Sequence, residues 1–116
     1  MIRVYTYKNC DTCRKALRWL CGRGVEFEEC AIRERPPTRA ELKRMLGYYD
    51  GDFKRLFNTT GKDYREGGYK DRLEEMTEAE VFAELAANGN LVKRPFLLGE
   101  GVGIVGFKET EWAEKL

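Results

Sequence analysis

Ile2-Arg3-Val4-Tyr5-Thr6-Tyr7-Lys8-Asn9-Cys10-Asp11-Thr12-Cys13-Arg14-Lys15-Ala16-Leu17-Arg18-Trp19-Leu20 is the stretch that decides the fold of this chain. Its first part, Ile2 to Tyr7, is rich in β-branched and aromatic residues and predicts a short strand. Its last part places Ala16, Leu17, Trp19 and Leu20 at helical spacing. Cys10 and Cys13 therefore stand where a strand ends and a helix begins, and two thiols three residues apart in that setting read as a redox pair. Helical geometry puts Cys13 one turn beyond Cys10 and leaves Cys10 near the free N–H groups of the helix start. Those groups, with the positive end of the helix dipole, favour a thiolate at Cys10. Lys8, Arg14 and Lys15 add to that field, and Asp11 opposes it.

A CxxC can also be half of a zinc site. A second pair at ligand spacing is missing, because eight residues separate Cys21 from Cys30, and the chain has no histidine. No metal is expected. Cys21 and Cys30 are expected to be core or partly buried thiols.

The 116 residues suffice for one domain with its own hydrophobic core. Lysine and arginine number 21 against 20 aspartate and glutamate, for a formal net charge of +1, a balance that argues against a direct nucleic-acid binder. No apolar run approaches the ~18 residues of a membrane span, and Met1 leads into a strand without the pattern of a signal peptide. A cytoplasmic location is expected, where a Cys10–Cys13 disulfide is transient and functional rather than structural.

Past Gly22 and Gly24, Val25 to Cys30 alternates apolar and polar and predicts a second strand. Thr38 with Glu41 three residues on forms a capping box for a helix carrying Leu42, Met45 and Leu46, which Gly47 is expected to end. From Tyr48 to Glu75 the composition predicts short helices and loops. Thr77 and Glu80 form a second capping box, followed by Val81, Phe82, Leu85 and Ala86, and Asn88-Gly89-Asn90 stops that helix. Phe96-Leu97-Leu98 and Ile104-Val105-Gly106-Phe107 flank the turn Gly99 to Gly103 as a β-hairpin. Trp112 and Leu116 share one side of a terminal helix. The order is β-α-β, a helical insert at about 38–90, then β-β-α: an α/β chain of one domain, 1–116, with a mixed four-stranded sheet.

This order, with a cysteine pair at the first strand–helix turn and a proline before the third strand, resembles the thioredoxin-like fold. The resemblance implies that Pro95 follows a cis bond and lies beside the redox cysteine. Four segments narrow it: Cys10-Asp11-Thr12-Cys13-Arg14-Lys15-Ala16, Leu56-Phe57-Asn58-Thr59-Thr60-Gly61, Leu91-Val92-Lys93-Arg94-Pro95 and Val105-Gly106-Phe107-Lys108. Together they resemble the ArsC family, which includes glutaredoxin-coupled arsenate reductases and the Spx regulators, over nearly the whole chain.

The resemblance implies a catalytic pair, Cys10 as nucleophile and Cys13 as resolving thiol in the place of the reductases' serine. It implies a substrate-binding group of Thr12, Arg14, Arg94 and Pro95, with Arg94 holding an oxyanion or a carboxylate. No bound cofactor is implied. Glutathione with glutaredoxin, or thioredoxin, is the expected reductant, and a small oxyanion or a disulfide is the expected substrate. Thr60 and Lys108 stand where arsenate reductases carry arginines, so the sequence predicts weak arsenate reduction with thiol–disulfide exchange retained. Lys62 and Arg65 read as solvated surface charges. A second implication stays open beside the first: a Spx-like redox-sensing regulator that binds the RNA polymerase α subunit. The CxxC favours it, and the end of the chain soon after Trp112, where Spx proteins carry a longer tail, speaks for the enzyme.

Overall fold

The structure, a computed structural model, describes all residues 1–116. Strand β1 (Ile2–Thr6), helix α1 (Asp11–Gly22) and strand β2 (Phe27–Ala31) open the chain. Helices α2 (Arg39–Tyr48), α3 (Lys62–Glu66), α4 (Tyr69–Arg72) and α5 (Glu78–Ala87) follow, with 3₁₀ turns at Phe53–Leu56, Leu73–Glu75 and Gly89–Leu91. Strands β3 (Phe96–Gly99) and β4 (Val102–Val105) and helix α6 (Glu109–Lys115) complete it. The sheet order is β2-β1-β3-β4. β1 and β2 run parallel, with Ile2 opposite Phe27, whereas β1–β3 and β3–β4 are antiparallel. This is the mixed four-stranded α/β sheet expected of the thioredoxin-like fold.

Both faces of the sheet are covered, which is why its central strands are almost continuously apolar. Alternation along β1 sends Val4 to one face and Tyr5 to the other. Val4 joins Leu97 and Ile104 against Ala16 and Leu20 of α1 and Trp112 of α6. Tyr5 joins Phe96, Leu98 and Val105 in a larger core closed by α2, α5 and the aromatic residues of the insert. Trp112 is locked in place by donating from Nε1 to the Gly106 carbonyl (3.0 Å) and by edge contacts with Phe107 and Trp19.

Both capping boxes form: Thr38 with Glu41, and Thr77 with Glu80. The Glu41 carboxylate also accepts from the Tyr5 hydroxyl (2.7 Å) and pairs with Arg3, tying α2 to β1. The polar stretch after α2 breaks into short helices and loops, as its composition predicts.

Several expectations shift. Gly47 does not end α2, which continues to Tyr48. Tyr48 packs on Gly103, where a Cβ would lie 2.4 Å from the ring, so that glycine is a strand residue chosen for close approach rather than part of the turn. The hairpin turn is correspondingly tighter, only Glu100 and Gly101 lying between β3 and β4. β2 starts at Phe27 rather than Val25, and as an edge strand it exposes both Glu28 and Glu29. On α1 the fully buried positions are Cys13, Ala16 and Leu20, and Leu17 lies to the side. Cys30 is buried, but Cys21 is exposed on the outer face of α1, against the expectation of a core or partly buried thiol.

Candidate functional site

The site begins at the turn between β1 and α1. The Cys10 N–H donates to the Tyr7 carbonyl (3.1 Å), closing the turn, and Cys10 then serves as the N-cap of α1. Its sulfur occupies the place a serine or aspartate oxygen takes at other helix starts, accepting the Cys13 backbone N–H at 3.3 Å. Cys10 is partly exposed, whereas Cys13, one turn inside, is buried.

The two thiols are driven apart in acidity. Burial alone would push the Cys10 thiol up. Hydrogen bonds from the Cys13 thiol and backbone N–H and the nearby Arg94 guanidinium outweigh it, and Cys10 ionises below its ordinary value. Burial, together with donation of its own proton to Cys10, pushes the Cys13 thiol up to about 12. Of the two sulfurs the more exposed one therefore ionises first, and the buried one is still a thiol when it does.

Arg94 arrives from the other end of the chain. Backbone pairing of residues 56–58 with 91–93 brings the insert back beside the sheet: Asn58 N–H donates to the Leu91 carbonyl (2.7 Å) and Lys93 N–H to the Leu56 carbonyl (2.8 Å). The Arg94–Pro95 peptide is cis, as the fold resemblance implies, and Pro95 is buried at the start of β3. The Arg94 guanidinium lies over the Tyr7 ring at 4.9 Å. Arg33 stacks on the same ring at 4.7 Å and donates to the Tyr7 hydroxyl (2.7 Å). Hydrogen bonds from Asn9 and Arg33 hold that hydroxyl below its usual acidity range.

Arg94 forms the ridge between two clefts. One, of about 600 Å³, is lined by Thr12, Arg55, Lys93, Arg94, Lys108 and Glu111 together with Val105, Gly106 and Phe107. Gly106 adopts φ 74° there, a left-handed turn that lets the chain fold over Lys93. Arg55 is held over Tyr49 at 4.6 Å, and the Tyr49 hydroxyl accepts the Val105 N–H (2.9 Å). The other cleft, of about 230 Å³, is lined by Tyr7, Arg33, Asn58, Lys62, Asn90 and Arg94, among others.

Of the residues expected at the site, Cys10, Cys13, Thr12 and Arg94 come together around the α1 N-terminus, and Pro95 follows Arg94 across the cis bond. Arg14 does not join them. Its guanidinium donates to the Lys8 carbonyl (3.0 Å) and pairs with Asp11 (2.6 Å), so it braces the turn and lines neither cleft. Lys108 lines the larger cleft and Lys62 the smaller, whereas Arg65 lines neither. Tyr7, Arg33, Arg55, Lys93 and Glu111 were not expected at the site. Lys93 adjoins Arg94 in a segment the sequence already singled out, but nothing in the spacing of Tyr7, Arg33 or Arg55 marks them as neighbours.

The comparisons agree with this geometry. The YusI protein of Bacillus subtilis is 43% identical over 113 residues, covering 97% of this chain and 96% of that protein. The global transcriptional regulator Spx of Streptococcus pyogenes is 27% identical, covering 96% of this chain and 81% of the regulator. The crystal structure of a possible arsenate reductase from Streptococcus mutans superposes with a TM-score of 0.89 at 31% identity, covering 97% and 98% of the two chains. No helix of this chain is long and apolar enough to cross a membrane. Residues 5–115 match the ArsC family, and with the cysteine turn, the Arg94–Pro95 segment and the sheet order in place, the chain belongs to that family.

Proposed function

We propose that the protein is a thiol–disulfide oxidoreductase of the arsenate-reductase-like kind, with Cys10 as nucleophile and Cys13 as resolving thiol. The observation that carries this reading is the geometry of two adjacent thiols, one partly exposed, accepting the Cys13 backbone N–H at the start of α1 beside Arg94 and ionising first, the other buried and ionising last. On a disulfide R–S–S–R′, the Cys10 thiolate bonds to one sulfur, the S–S bond breaks and R′S⁻ departs, taking up a proton. The negative sulfur that, beside burial, kept the proton on Cys13 is then gone, so Cys13 ionises more readily. Its thiolate attacks the Cys10 sulfur and releases RS⁻. Two electrons pass to the substrate and two thiols become the Cys10–Cys13 disulfide. A dithiol such as thioredoxin, or two equivalents of glutathione with glutaredoxin, returns it to the reduced state. Thr12 and Arg94 position the substrate, and arsenate is a poor one because Thr60 and Lys108 replace arginines.

The similarity to Spx supports a second reading, in which the same pair senses oxidation and the oxidised or reduced protein binds the C-terminal domain of the RNA polymerase α subunit. One experiment separates the two. Purified protein is assayed for NADPH-coupled reduction of a glutathione mixed disulfide, with glutaredoxin or thioredoxin supplied, and in parallel for capture of the α-subunit domain. Turnover that disappears in Cys10→Ser, without capture, upholds the oxidoreductase; capture without turnover overturns it in favour of the regulator.

A further inference from the structure

β4 lies at the edge of the sheet, so the backbone groups on its outer side have no neighbouring strand to pair with. Val105 ends this strand and is only 7% exposed, and a buried N–H without a partner is costly. Its partner is a side chain: the Tyr49 hydroxyl accepts the Val105 N–H at 2.9 Å. Tyr49 caps the C-terminal end of α2, and its half-buried ring is held beneath the Arg55 guanidinium. The next residue of the strand end carries the contact toward the cysteine turn. The Gly106 N–H donates to the Pro95 carbonyl (2.8 Å), and a Cβ on Gly106 would stand 3.3 Å from the Lys93 Cε, so the two segments lie directly against each other. Residues 93–95 are therefore held from two sides, by the end of β4 and by the Leu56 carbonyl, which takes the Lys93 N–H (2.8 Å). Between those two anchors the Arg94 side chain reaches back to hydrogen-bond the Cys10 sulfur.

We infer that Tyr49 is a positioning residue for the Cys10 site: its hydroxyl fixes the end of β4, the end of β4 fixes Pro95, and Arg94 is thereby kept against the Cys10 sulfur. The sheet itself cannot supply this anchor, because no strand lies beyond β4 to accept the Val105 N–H. The hydroxyl and the ring face have separable effects. The hydroxyl acts on Cys10 through the backbone, whereas the face orients Arg55 in the larger cleft. A substitution that removes the oxygen and keeps the ring isolates the first effect. The inference rests on the proposed thiol–disulfide chemistry only for what the positioned sulfur goes on to attack; the placement of Arg94 has a readout of its own.

The test is the pH profile of iodoacetamide labelling at Cys10 in the reduced, full-length chain. Tyr49→Phe should move the labelling midpoint upward and slow labelling at mildly acidic pH about threefold, the scale of one lost hydrogen bond. In the Arg94→Leu background the same substitution should change nothing further, because the two residues act in series. Tyr69→Phe, which removes a hydroxyl bonded to Glu84 inside the insert, is the control for general loosening: it should lower Tm and leave the midpoint in place. Amide exchange gives the second reading, with Tyr49→Phe speeding exchange at both Val105 and Gly106. An unchanged midpoint in Tyr49→Phe, equal slowing in the Arg94→Leu background, the same shift in Tyr69→Phe, or a Gly106 amide that stays protected overturns the inference. Reduction of hydroxyethyl disulfide is measured beside labelling. If it is reduced through Cys10 while the midpoint of Tyr49→Phe stays put, the oxidoreductase reading stands and the role of Tyr49 falls. If the midpoint moves as described and no disulfide is reduced, the positioning stands and the redox reading falls.

Discussion

The cysteine turn and the charged rim beside it are built in opposite ways. Cys10 and Cys13 sit one helical turn apart, and the groups that tune them are mostly local: the Cys13 N–H, the Cys13 thiol and the closing bond to Tyr7. The rim is assembled from the 3₁₀ turn after α2, the segment before β3, the loop after β4 and the first turn of α6. A local device is rigid because the helix makes it so, whereas an assembled one depends on the insert returning through the pairing of residues 56–58 with 91–93. The comparison separates reactivity from choice of partner. Changes at the turn should remove chemistry on every substrate, and changes at the rim should redistribute it among substrates.

The largest effect expected is at the turn. Cys10→Ser should abolish disulfide reduction altogether, and Cys13→Ser should stop turnover while leaving a stable mixed disulfide on Cys10, detected as a mass increase of the intact protein. Trapping on Cys13 instead would reverse the two roles. Next comes substrate choice. Each lost oxyanion donor can cost ~10²-fold in rate, so arsenate reduction should run about two or more orders of magnitude below reduction of a glutathione mixed disulfide under the same reductant. Equal rates would mean that the rim serves oxyanions after all, through Lys62 or Lys108.

The pH dependence probes where the two regions touch. The iodoacetamide labelling rate of Cys10 should rise with a midpoint below the ordinary thiol value of 9.0, because the Cys13 groups and Arg94 favour its thiolate over the cost of burial. Arg94→Leu should move that midpoint upward and slow labelling at mildly acidic pH by roughly an order of magnitude, whereas Arg14→Leu, spent on Asp11 and Lys8, should not. Stability follows the same signs. The Cys10 increment is present above the unfolded-state value and is lost as pH falls through the lowered one. The Cys13 increment is present below its unfolded-state value and is lost as pH rises toward about 12. Denaturation of Cys13→Ala should therefore show a shallower alkaline decline than the parent chain.

How far the sequence could be read follows this division. The capping boxes at Thr38 and Thr77, the hairpin, the strand–helix turn and the nucleophile are encoded by neighbours in the chain, and local rules find them. Arg94 and Pro95 were legible only through family resemblance. Arg55 and Glu111 lie in segments with no local pattern pointing to a shared cleft, and Arg33 sits in a turn where a surface charge is the ordinary expectation. Arg14 shows the converse failure: its position beside Cys13 suggests a ligand contact, but a nearby carboxylate and carbonyl capture it first. Cys21 was misjudged because a helix next to the core also has an outer face, and composition alone does not say which residue lies on it.

The smallest effect lies with Tyr7, which directly follows β1 in the chain and touches the charges of the rim. Its ring carries Arg94 on one guanidinium contact and Arg33 on another, so it couples the turn to the charges that arrive from elsewhere. Such a contact at a partly exposed site is worth about 0.5–1 kcal/mol, or roughly a two- to fivefold change in a rate that depends on Arg94 being in place. Tyr7→Leu should therefore slow Cys10 labelling at mildly acidic pH by about that factor. Tyr7→Phe keeps the face and loses only the hydroxyl bonded to Asn9 and Arg33, so its rate should stay near that of the parent chain. The readout that distinguishes positioning from general loosening is the Arg94→Leu background, in which Tyr7→Leu should have no further effect on labelling. If the two substitutions instead multiply, Tyr7 acts on Cys10 independently of Arg94, and the turn and the rim are joined by some other contact.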